Sequence, residues 1–330
     1  MKKRLSVDEY LEGLLNSNRV ILAKAITLIE STLDSDQLLA EELLDAVVPY
    51  TGNSMRIGVS GVPGVGKSTF IESFGNYLIQ QSYKVAVLAI DPSSALSKGS
   101  ILGDKTRMNT LATHPLAFIR PSASRGNLGG VGSKTREAML LCEAAGYQYI
   151  MVETVGVGQS ETLVRGMVDF FLLLMLAGAG DELQGIKRGI MELCDALVIN
   201  KADGDNLPNA KRAAAEYKNA LHLFRASQSG WVPKVQTISS IENVGMSSLF
   251  EMIQSYQQQG SDSGYFQHNR LSQQESWLNE MIHEELLREF VAFKNSNPIW
   301  NEVVEKMNQG KKSVRSAYRT VLDTYKRLDP

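Results

Sequence analysis

Gly61-Val62-Pro63-Gly64-Val65-Gly66-Lys67-Ser68-Thr69 is the stretch that indicates the fold class of this 330-residue chain. It satisfies the pattern G-x-x-x-x-G-K-[ST], and it lies between a predicted strand at 56–60 and a predicted helix at 69–81. Glycines at these places let backbone N–H groups turn towards phosphate oxygens, and the start of the following helix adds the positive end of its dipole. We therefore predict a phosphate-binding loop in which Lys67 neutralises phosphate charge and the Ser68 hydroxyl coordinates Mg²⁺.

Hydrophobic patterns divide the chain into three parts. In residues 1–50, apolar residues recur mostly at three- and four-residue spacing, which is typical of helices. Residues 51–256 alternate β-rich runs with helical stretches, and several runs are apolar on both faces, which favours a mainly parallel sheet in an α/β fold. A polar linker at 257–264 and a helical tail at 271–328 follow, so we predict an N-terminal helical extension, a central α/β domain and a C-terminal helical arm. The predicted strands are 56–60, 85–90, 149–153, 170–176, 196–200 and 234–238.

Composition and charge narrow the class of protein. Lys and Arg number 34 and Asp and Glu number 36, so the chain lacks the basic excess typical of nucleic-acid binders. The longest apolar run, 170–179, is about half as long as a membrane span, and acidic residues follow the basic start, so we expect neither a span nor a signal peptide. Cys142 and Cys194 show no metal-ligand or redox spacing and are expected to be buried thiols. We expect a soluble, cytoplasmic protein.

A second motif, Asn200-Lys201-Ala202-Asp203, follows the apolar run 196–199. N-K-x-D is the guanine-reading pattern of GTPases. The Asp203 carboxylate can accept hydrogen bonds from N1–H and the exocyclic amine of guanine, a donor pair that adenine does not offer, while Asn200 can brace the loop and the Lys201 stem can lie over the base. A site built to pair those donors rejects a base that lacks them, so the motif predicts a guanine nucleotide.

The stretch that ends the last predicted strand provides a further contact to the base. Ser239, Ser240 and Ile241 resemble the companion loop whose backbone N–H group contacts guanine O6. A plain serine-rich turn is the alternative interpretation of these residues.

Acidic residues at strand ends are candidates for the metal site and for the attacking water. The segment ETVG, from Glu153 to Gly156, resembles a Walker B region with Glu in place of the usual Asp. Glu153 would hold Mg²⁺ directly or through water, and the N–H of Gly156 would approach the γ-phosphate. Asp91 ends the run 85–90 and so faces the ligand crevice, and Asp104 is a loop acid that could also bind the metal. A strand-end acid with no metal role is the alternative for Glu153, and a capping or structural role is the alternative for Asp91.

Taken in order, the motifs resemble those of the MeaB/ArgK (YgfD) GTPases. The resemblance is carried by GVPGVGKST, IDPSS, GDKTRM, SRGNLGGVG, VETVGVGQSE, LAGAGDELQGIKRGI and NKAD, and it covers residues 50–256. Members of that family are homodimeric G proteins that chaperone cobalamin-dependent methylmalonyl-CoA mutase, and their C-terminal helical arm mediates dimerisation. The resemblance therefore implies a GTPase that uses Mg²⁺, forms a homodimer and has the mutase as its partner, gating cofactor loading and protecting or reactivating it.

The resemblance also assigns roles to residues. It puts Lys67, Ser68, Asp91, Asp104 and Glu153 at phosphate and Mg²⁺ positions, and Asn200, Lys201, Asp203 and 239–241 at guanine positions. The segment GAGDELQGIKRG matches a loop that responds to nucleotide and mutase. Within it, Asp181 and Lys187 are candidates for partner-dependent stimulation, and Lys187 could stabilise transition-state charge as an arginine finger does. A solvated surface loop is the alternative.

Catalysis is expected to be slow without a partner. Gln159 stands three residues past Gly156, and this position does not match the catalytic Gln of Ras-like proteins. We therefore expect turnover to depend on partner-driven ordering of the loops.

Three other functions are alternatives to a mutase-associated GTPase. A P-loop kinase acting on a transport protein would need a phosphoacceptor site or a catalytic-loop base, and neither pattern is visible. A metal-insertion GTPase of the urease or hydrogenase maturation type tends to carry His-rich or Cys-based sites, whereas the four histidines here are isolated and no CxxC occurs. A nucleotide sensor without turnover is the third, and GTP binding without hydrolysis would favour it.

Overall fold

The computed structural model describes residues 4–90, 108–121, 128–154, 160–178, 188–221 and 229–328. The chain forms two compact units, Met1–Gln273 and Gln274–Pro330. Within the described residues, no helix is both long and apolar enough to cross a membrane.

A parallel β-sheet forms the centre of the first unit. Its described strands are β1 Met55–Gly61, β2 Val85–Ile90, β3 Ala117–Pro121, β4 Tyr149–Thr154, β5 Phe170–Leu176, β6 Ala196–Asn200 and β7 Lys234–Thr237. They lie in the order β3-β2-β4-β1-β5-β6-β7, and every pair is parallel. Every residue of β2, β4 and β6 is buried, as expected for strands covered on both faces. The predicted α/β fold with a mainly parallel sheet is confirmed.

Helices surround this sheet, and further helices form the N-terminal part of the unit. In the first unit they are Val7–Leu15, Arg19–Ile29, Asp34–Val47, Lys67–Gln80, Asn109–Thr113, Leu128–Ala144, Ser160–Arg165, Arg188–Met191, Leu207–Leu221 and Met246–Asp262, with short 3₁₀ turns at Val48–Tyr50 and Gly204–Asn206. The predicted N-terminal extension is helical, and its buried residues Leu14, Leu22 and Leu43 belong to the same hydrophobic core as the strands. Burying each such side chain stabilises the fold by about 1.5–3 kcal/mol.

The first helix illustrates how local sequence sets an element boundary. Ser6 accepts a hydrogen bond on Oγ from the N–H of Glu9, and the Glu9 carboxylate accepts one from the N–H of Ser6. This capping box satisfies two of the N–H groups that the start of a helix leaves unpaired, so the helix begins at Val7.

The polar segment 257–264, predicted to be a linker, is mostly helical. The helix Met246–Asp262 includes most of it, and the next helix, Tyr265–Ser296, begins after Ser263 and Gly264. The polar side chains face solvent while Gly260 is buried, and a Cβ at Gly260 would lie 2.7 Å from the Phe266 ring. Glycine there permits close contact between the two helices. The three-part division at 50 and 256 stays a prediction.

A buried ion pair fixes the first turns of the helix Tyr265–Ser296 within the first unit. The Arg270 guanidinium donates to both carboxylate oxygens of Asp169, at 2.8 and 2.6 Å, and to the carbonyl of Ser54 at 2.6 Å. Asp169 is fully buried and also accepts from the N–H of Arg56 at 2.9 Å. The contact therefore joins this helix to the amino ends of β1 and β5.

Replacing Arg270 with Ala is expected to destabilise the protein by about 3–5 kcal/mol, because it leaves the Asp169 charge buried without its partner. Arg288→Ala provides a matched control, since Arg288 forms an exposed pair with Glu285 and its loss is expected to cost at most about 1 kcal/mol. Urea unfolding followed by circular dichroism measures both changes. Equal effects of the two substitutions would contradict this role of Arg270.

The second unit has its own small core. Its elements are the C-terminal part of Tyr265–Ser296 and the helices Ile299–Asn308 and Val314–Leu328. Val303, Ala317 and Val321 are buried there. The ring of Tyr325 packs against both Phe290 and Phe293, with centroids 5.4 and 5.1 Å apart.

Candidate nucleotide-binding site

The loop between β1 and the helix Lys67–Gln80 has the backbone of a phosphate cradle. Gly64 and Gly66 have φ angles of 75° and 92°, in the left-handed region that favours glycine. A Cβ at Gly66 would lie 3.0 Å from the side-chain nitrogen of Asn200, whereas one at Gly64 would meet nothing within 4 Å. The strand-loop-helix context predicted from the motif is present, with the helix beginning at Lys67 rather than Thr69.

Lys67 lies at the base of this loop in a poorly solvated environment. Its ammonium donates to the carbonyl of Gly61 at 2.9 Å. Burial lowers the pKa of Lys67 from its ordinary value, and the carboxylates of Glu153 and Glu161 oppose that shift. A phosphate would give this ammonium a stronger charged partner than a carbonyl oxygen does.

Ser68 and Glu153 bring two oxygen ligands together beside Lys67. The Ser68 hydroxyl donates to Glu153 Oε1 at 3.3 Å. Glu153 comes from β4, which pairs directly with β1, and the residue is 6% exposed. A hydroxyl and a carboxylate are the hard oxygen donors that Mg²⁺ prefers, so this donor set fits the predicted metal.

Asn200 joins the phosphate loop to the loop after β7. Its side-chain N–H donates to the carbonyl of Val65 at 2.8 Å. Its side-chain oxygen accepts from the hydroxyl of Ser240 at 2.8 Å and from the N–H of Ser240 at 3.3 Å. Because Asn200 is buried, these bonds form away from competing water, and the residue links the two loops.

Lys201 and Asp203 complete the arrangement on the other side of the phosphate loop. Lys201 has a φ of 59°, and its ammonium donates to the carbonyl of Gly64 at 2.9 Å. Asp203 accepts from the Ser239 hydroxyl at 2.7 Å. Lys201 thus contacts the phosphate loop and Asp203 contacts the loop after β7. Both residues follow the carboxyl end of β6, where ligands bind in open parallel sheets.

The family is shown by sequence comparison. Residues 22–295 match the family model described as "Methylmalonyl Co-A mutase-associated GTPase MeaB". The chain belongs to the MeaB family of P-loop GTPases.

Relatives of this MeaB-family chain match it over nearly its whole length. GTPase ArgK of Escherichia coli (strain K12) is 46% identical over 319 residues, which is 97% of this chain and 96% of that protein. The mitochondrial methylmalonic aciduria type A homolog of Mus musculus is 46% identical over 299 residues, covering 88% of this chain and 72% of that protein. A crystal structure titled LAO/AO transport system kinase superposes with a TM-score of 0.80 at 39% identity, covering 99% of both chains.

The structure brings together most of the site residues predicted for the MeaB-family chain. Lys67, Ser68 and Glu153 lie together at the start of the helix Lys67–Gln80. Asn200, Lys201, Asp203, Ser239 and Ser240 form a second group. Val62 and Val65 are buried, so their side chains pack the loop onto the core, whereas Pro63, Thr69 and Ile241 are exposed. The other candidates lie outside the described residues: Asp91, Asp104, Gly156, Asp181 and Lys187.

Glu161 was missed by the sequence analysis. It belongs to the short helix Ser160–Arg165, is 1% exposed and lies close enough to Lys67 for its charge to oppose the lowering of the Lys67 pKa by burial. The only sequence feature that pointed to this residue was its acidic side chain in VGVGQSE, shortly after Glu153. One charged residue gave no reason to expect burial, because burial depends on the packing of the helix against the sheet.

Proposed function

We propose that the chain binds GTP together with Mg²⁺ and hydrolyses it to GDP and phosphate. The observation that carries this proposal is the double contact of Asn200, which hydrogen-bonds to the phosphate loop through Val65 and to the serine loop, residues 239–244 after β7, through Ser240. These contacts support one continuous site in which a phosphate cradle and base-reading side chains would act together. Adenine would leave the Asp203 carboxylate without its donors, so the site favours guanine.

The described residues have distinct tasks in this proposed reaction. Lys67 and the N–H groups of the loop bind phosphate oxygens and stabilise the charge that develops during in-line attack of water. Mg²⁺, when bound, supplies further neutralisation of phosphate charge, and Ser68 and Glu153 are the residues that would hold it. Asp203, Ser239, Ser240 and Ile241 orient the base, while Asn200 and Lys201 keep their loop against the phosphate loop.

Further roles are proposed for candidates outside the described residues. Asp91 would orient the attacking water or bind the metal, and Asp104 would add a metal ligand. The N–H of Gly156 would approach the γ-phosphate. Lys187 would stabilise transition-state charge after a partner has ordered its loop. The lack of a Ras-like catalytic Gln near Gly156 supports slow turnover without that partner.

Methylmalonyl-CoA mutase is the partner that we propose. The family model carries the mutase in its description, and the mouse relative carries methylmalonic aciduria in its name. The GTPase would gate loading of the cobalamin cofactor into the mutase and protect or reactivate it. The chain would act in the cytoplasm.

We also propose a homodimer formed through the C-terminal helical arm. In the second unit, the helix Tyr265–Ser296 exposes a series of large apolar side chains. They are Leu278, Met281, Ile282, Leu286, Leu287 and Val291. Contact with a second copy would remove this apolar surface from water, which stabilises association by about 25 cal/mol per Å² before the costs of association.

Kinase activity towards a transport protein is the second candidate, because the similar crystal structure is titled a transport system kinase. A metal-insertion GTPase remains a further alternative, and tight binding of nickel or zinc would favour it. Incubation with γ-labelled GTP separates the kinase from the hydrolase. We expect the label as free phosphate, and label on a protein acceptor would favour the kinase.

The partner is tested by phosphate release from GTP with and without purified methylmalonyl-CoA mutase. We expect slow release by the chain alone and faster release with the mutase. A mixture of the mutase with the Lys67→Ala variant controls for contaminating phosphatase. A rate that does not change with added mutase would overturn the proposed partner while leaving the GTPase assignment intact.

A further inference from the structure

The loop after β7 has a backbone shape that its own residues enforce. Ser239 and Val244 exchange two backbone hydrogen bonds, at 3.1 and 3.0 Å, and so close the loop at its base. Gly245 follows with a φ of 86°, and a Cβ there would lie 2.9 Å from Ile238 Cγ2. Asn243 has a φ of 57°, a conformation that Asn and Gly both tolerate. The turn therefore needs a permissive backbone at 243 and not a particular side chain.

The side chain of Asn243 nevertheless makes a specific long-range contact. Its Oδ1 accepts a hydrogen bond from the hydroxyl of Ser73 at 2.6 Å. Ser73 is 6% exposed and belongs to the helix Lys67–Gln80, which begins with Lys67 and Ser68, the proposed phosphate and Mg²⁺ ligands. The bond thus joins the serine loop to the helix that carries those two ligands.

This contact differs from the bonds of the N-K-x-D motif. Asn200 and Asp203 hold the serine loop through Ser240 and Ser239, and Asn200 reaches the phosphate loop at Val65. Those bonds fix the serine loop against its neighbouring loops. The Ser73–Asn243 bond instead connects the serine loop to the helix Lys67–Gln80. It therefore fixes the distance between the loop and the groups proposed to bind the phosphates.

We propose that Ser73 and Asn243 form a positioning pair that keeps the serine loop ready to receive the guanine base. The proposal rests on the proposed GTP-binding function of the site. Without the pair, the loop occupies its binding-competent position for a smaller fraction of the time, and the apparent dissociation constant rises in inverse proportion. The pair positions the serine loop, which is proposed to contact the base and not the phosphates, so we expect hydrolysis of bound GTP to be unaffected.

The expected change in the dissociation constant depends on the strength of the Ser73–Asn243 bond and on its access to water. One neutral hydrogen bond changes an equilibrium by about three- to tenfold. Ser73 and Asn243 line a surface cavity of about 480 Å³, so water competes for both groups. We expect the dissociation constant for GDP to rise by about three- to fivefold.

The test compares Asn243→Gly, Ser73→Ala and their double variant with the unmodified chain. Asn243→Gly keeps the left-handed backbone, and Asn243→Asp restores an oxygen acceptor for the Ser73 hydroxyl. Ser247→Ala is the matched control. Among the described contacts, the Ser247 hydroxyl donates only to the exposed carboxylate of Glu251 on the same helix. Fluorescent GDP titration gives the dissociation constant, and phosphate release gives kcat and KM for GTP.

We expect both single variants to raise the GDP dissociation constant and the KM for GTP without changing kcat. The double variant should bind no more weakly than either single variant, since both remove the same bond. Asn243→Asp should bind as the unmodified chain does. GDP binding within twofold of the unmodified chain in both single variants, or equal losses in Asn243→Asp and Asn243→Gly, would overturn the positioning pair. Lack of GDP binding by the unmodified chain would instead overturn the proposed function.

Discussion

Replacing Lys67 with Ala is expected to weaken GTP binding by about 10- to 100-fold and to reduce the hydrolysis rate at saturating GTP by about 10²- to 10³-fold. The ammonium lies at the base of the phosphate loop and donates there to Gly61, so it is in place to bind phosphate oxygens. Its charge supports the bound phosphate and, more strongly, the charge that develops in the transition state. Calorimetry and phosphate release measure the two losses separately.

Lys211→Ala is the matched control for this prediction. Lys211 is exposed on the helix Leu207–Leu221, and its replacement removes the same charge away from the site. Both variants should melt at nearly the temperature of the unmodified chain. Lys211 is exposed, and desolvation already disfavours the charge of Lys67 in the folded state. Normal turnover by the Lys67→Ala variant would falsify the site assignment.

Replacing Asp203 with Asn is expected to change which base the site accepts. The carboxylate pairs two donors of guanine, whereas an amide offers one acceptor and one donor. Xanthine presents N1–H beside a carbonyl oxygen, so it matches the amide. We expect GTP affinity to fall by about 100-fold and affinity for xanthosine triphosphate to exceed it. Competition of both nucleotides against fluorescent GDP measures the change.

Asp205→Asn is the control for this substitution. Asp205 is exposed in the adjacent turn Gly204–Asn206, so the same change of charge there should leave guanine preference intact. An Asp203→Asn variant that still prefers GTP would show that Asp203 does not read the base.

The sequence predicted the central architecture because parallel strands impose strong patterns. The runs at β2 and β5 are apolar throughout, since helices cover both faces of the sheet. The edge strand β3 escaped prediction. Its sequence contains Arg120 and Pro121, and Pro cannot donate to a strand ladder. An edge position tolerates both residues, but that position emerges only from pairing with β2.

The sequence motifs indicate which residues are candidates for the site, but they do not predict the contacts among them. Motif spacing identified Lys67, Asn200 and Asp203, because each motif ends a strand at the same edge of the sheet. The bonds from Asn200 to Val65 and from Ser73 to Asn243 join residues 135 and 170 positions apart. Such pairings depend on tertiary packing, which no local pattern encodes.

The central claim is that one site reads both guanine and phosphate, and calorimetric titration of the purified chain tests it most directly. GDP and ADP would each be titrated in the presence of Mg²⁺, with the Asp203→Asn variant measured in parallel. We predict that GDP binds at least about 100-fold more tightly than ADP, and that the substitution removes this preference. Equal affinities for GDP and ADP in the unmodified chain would contradict the account.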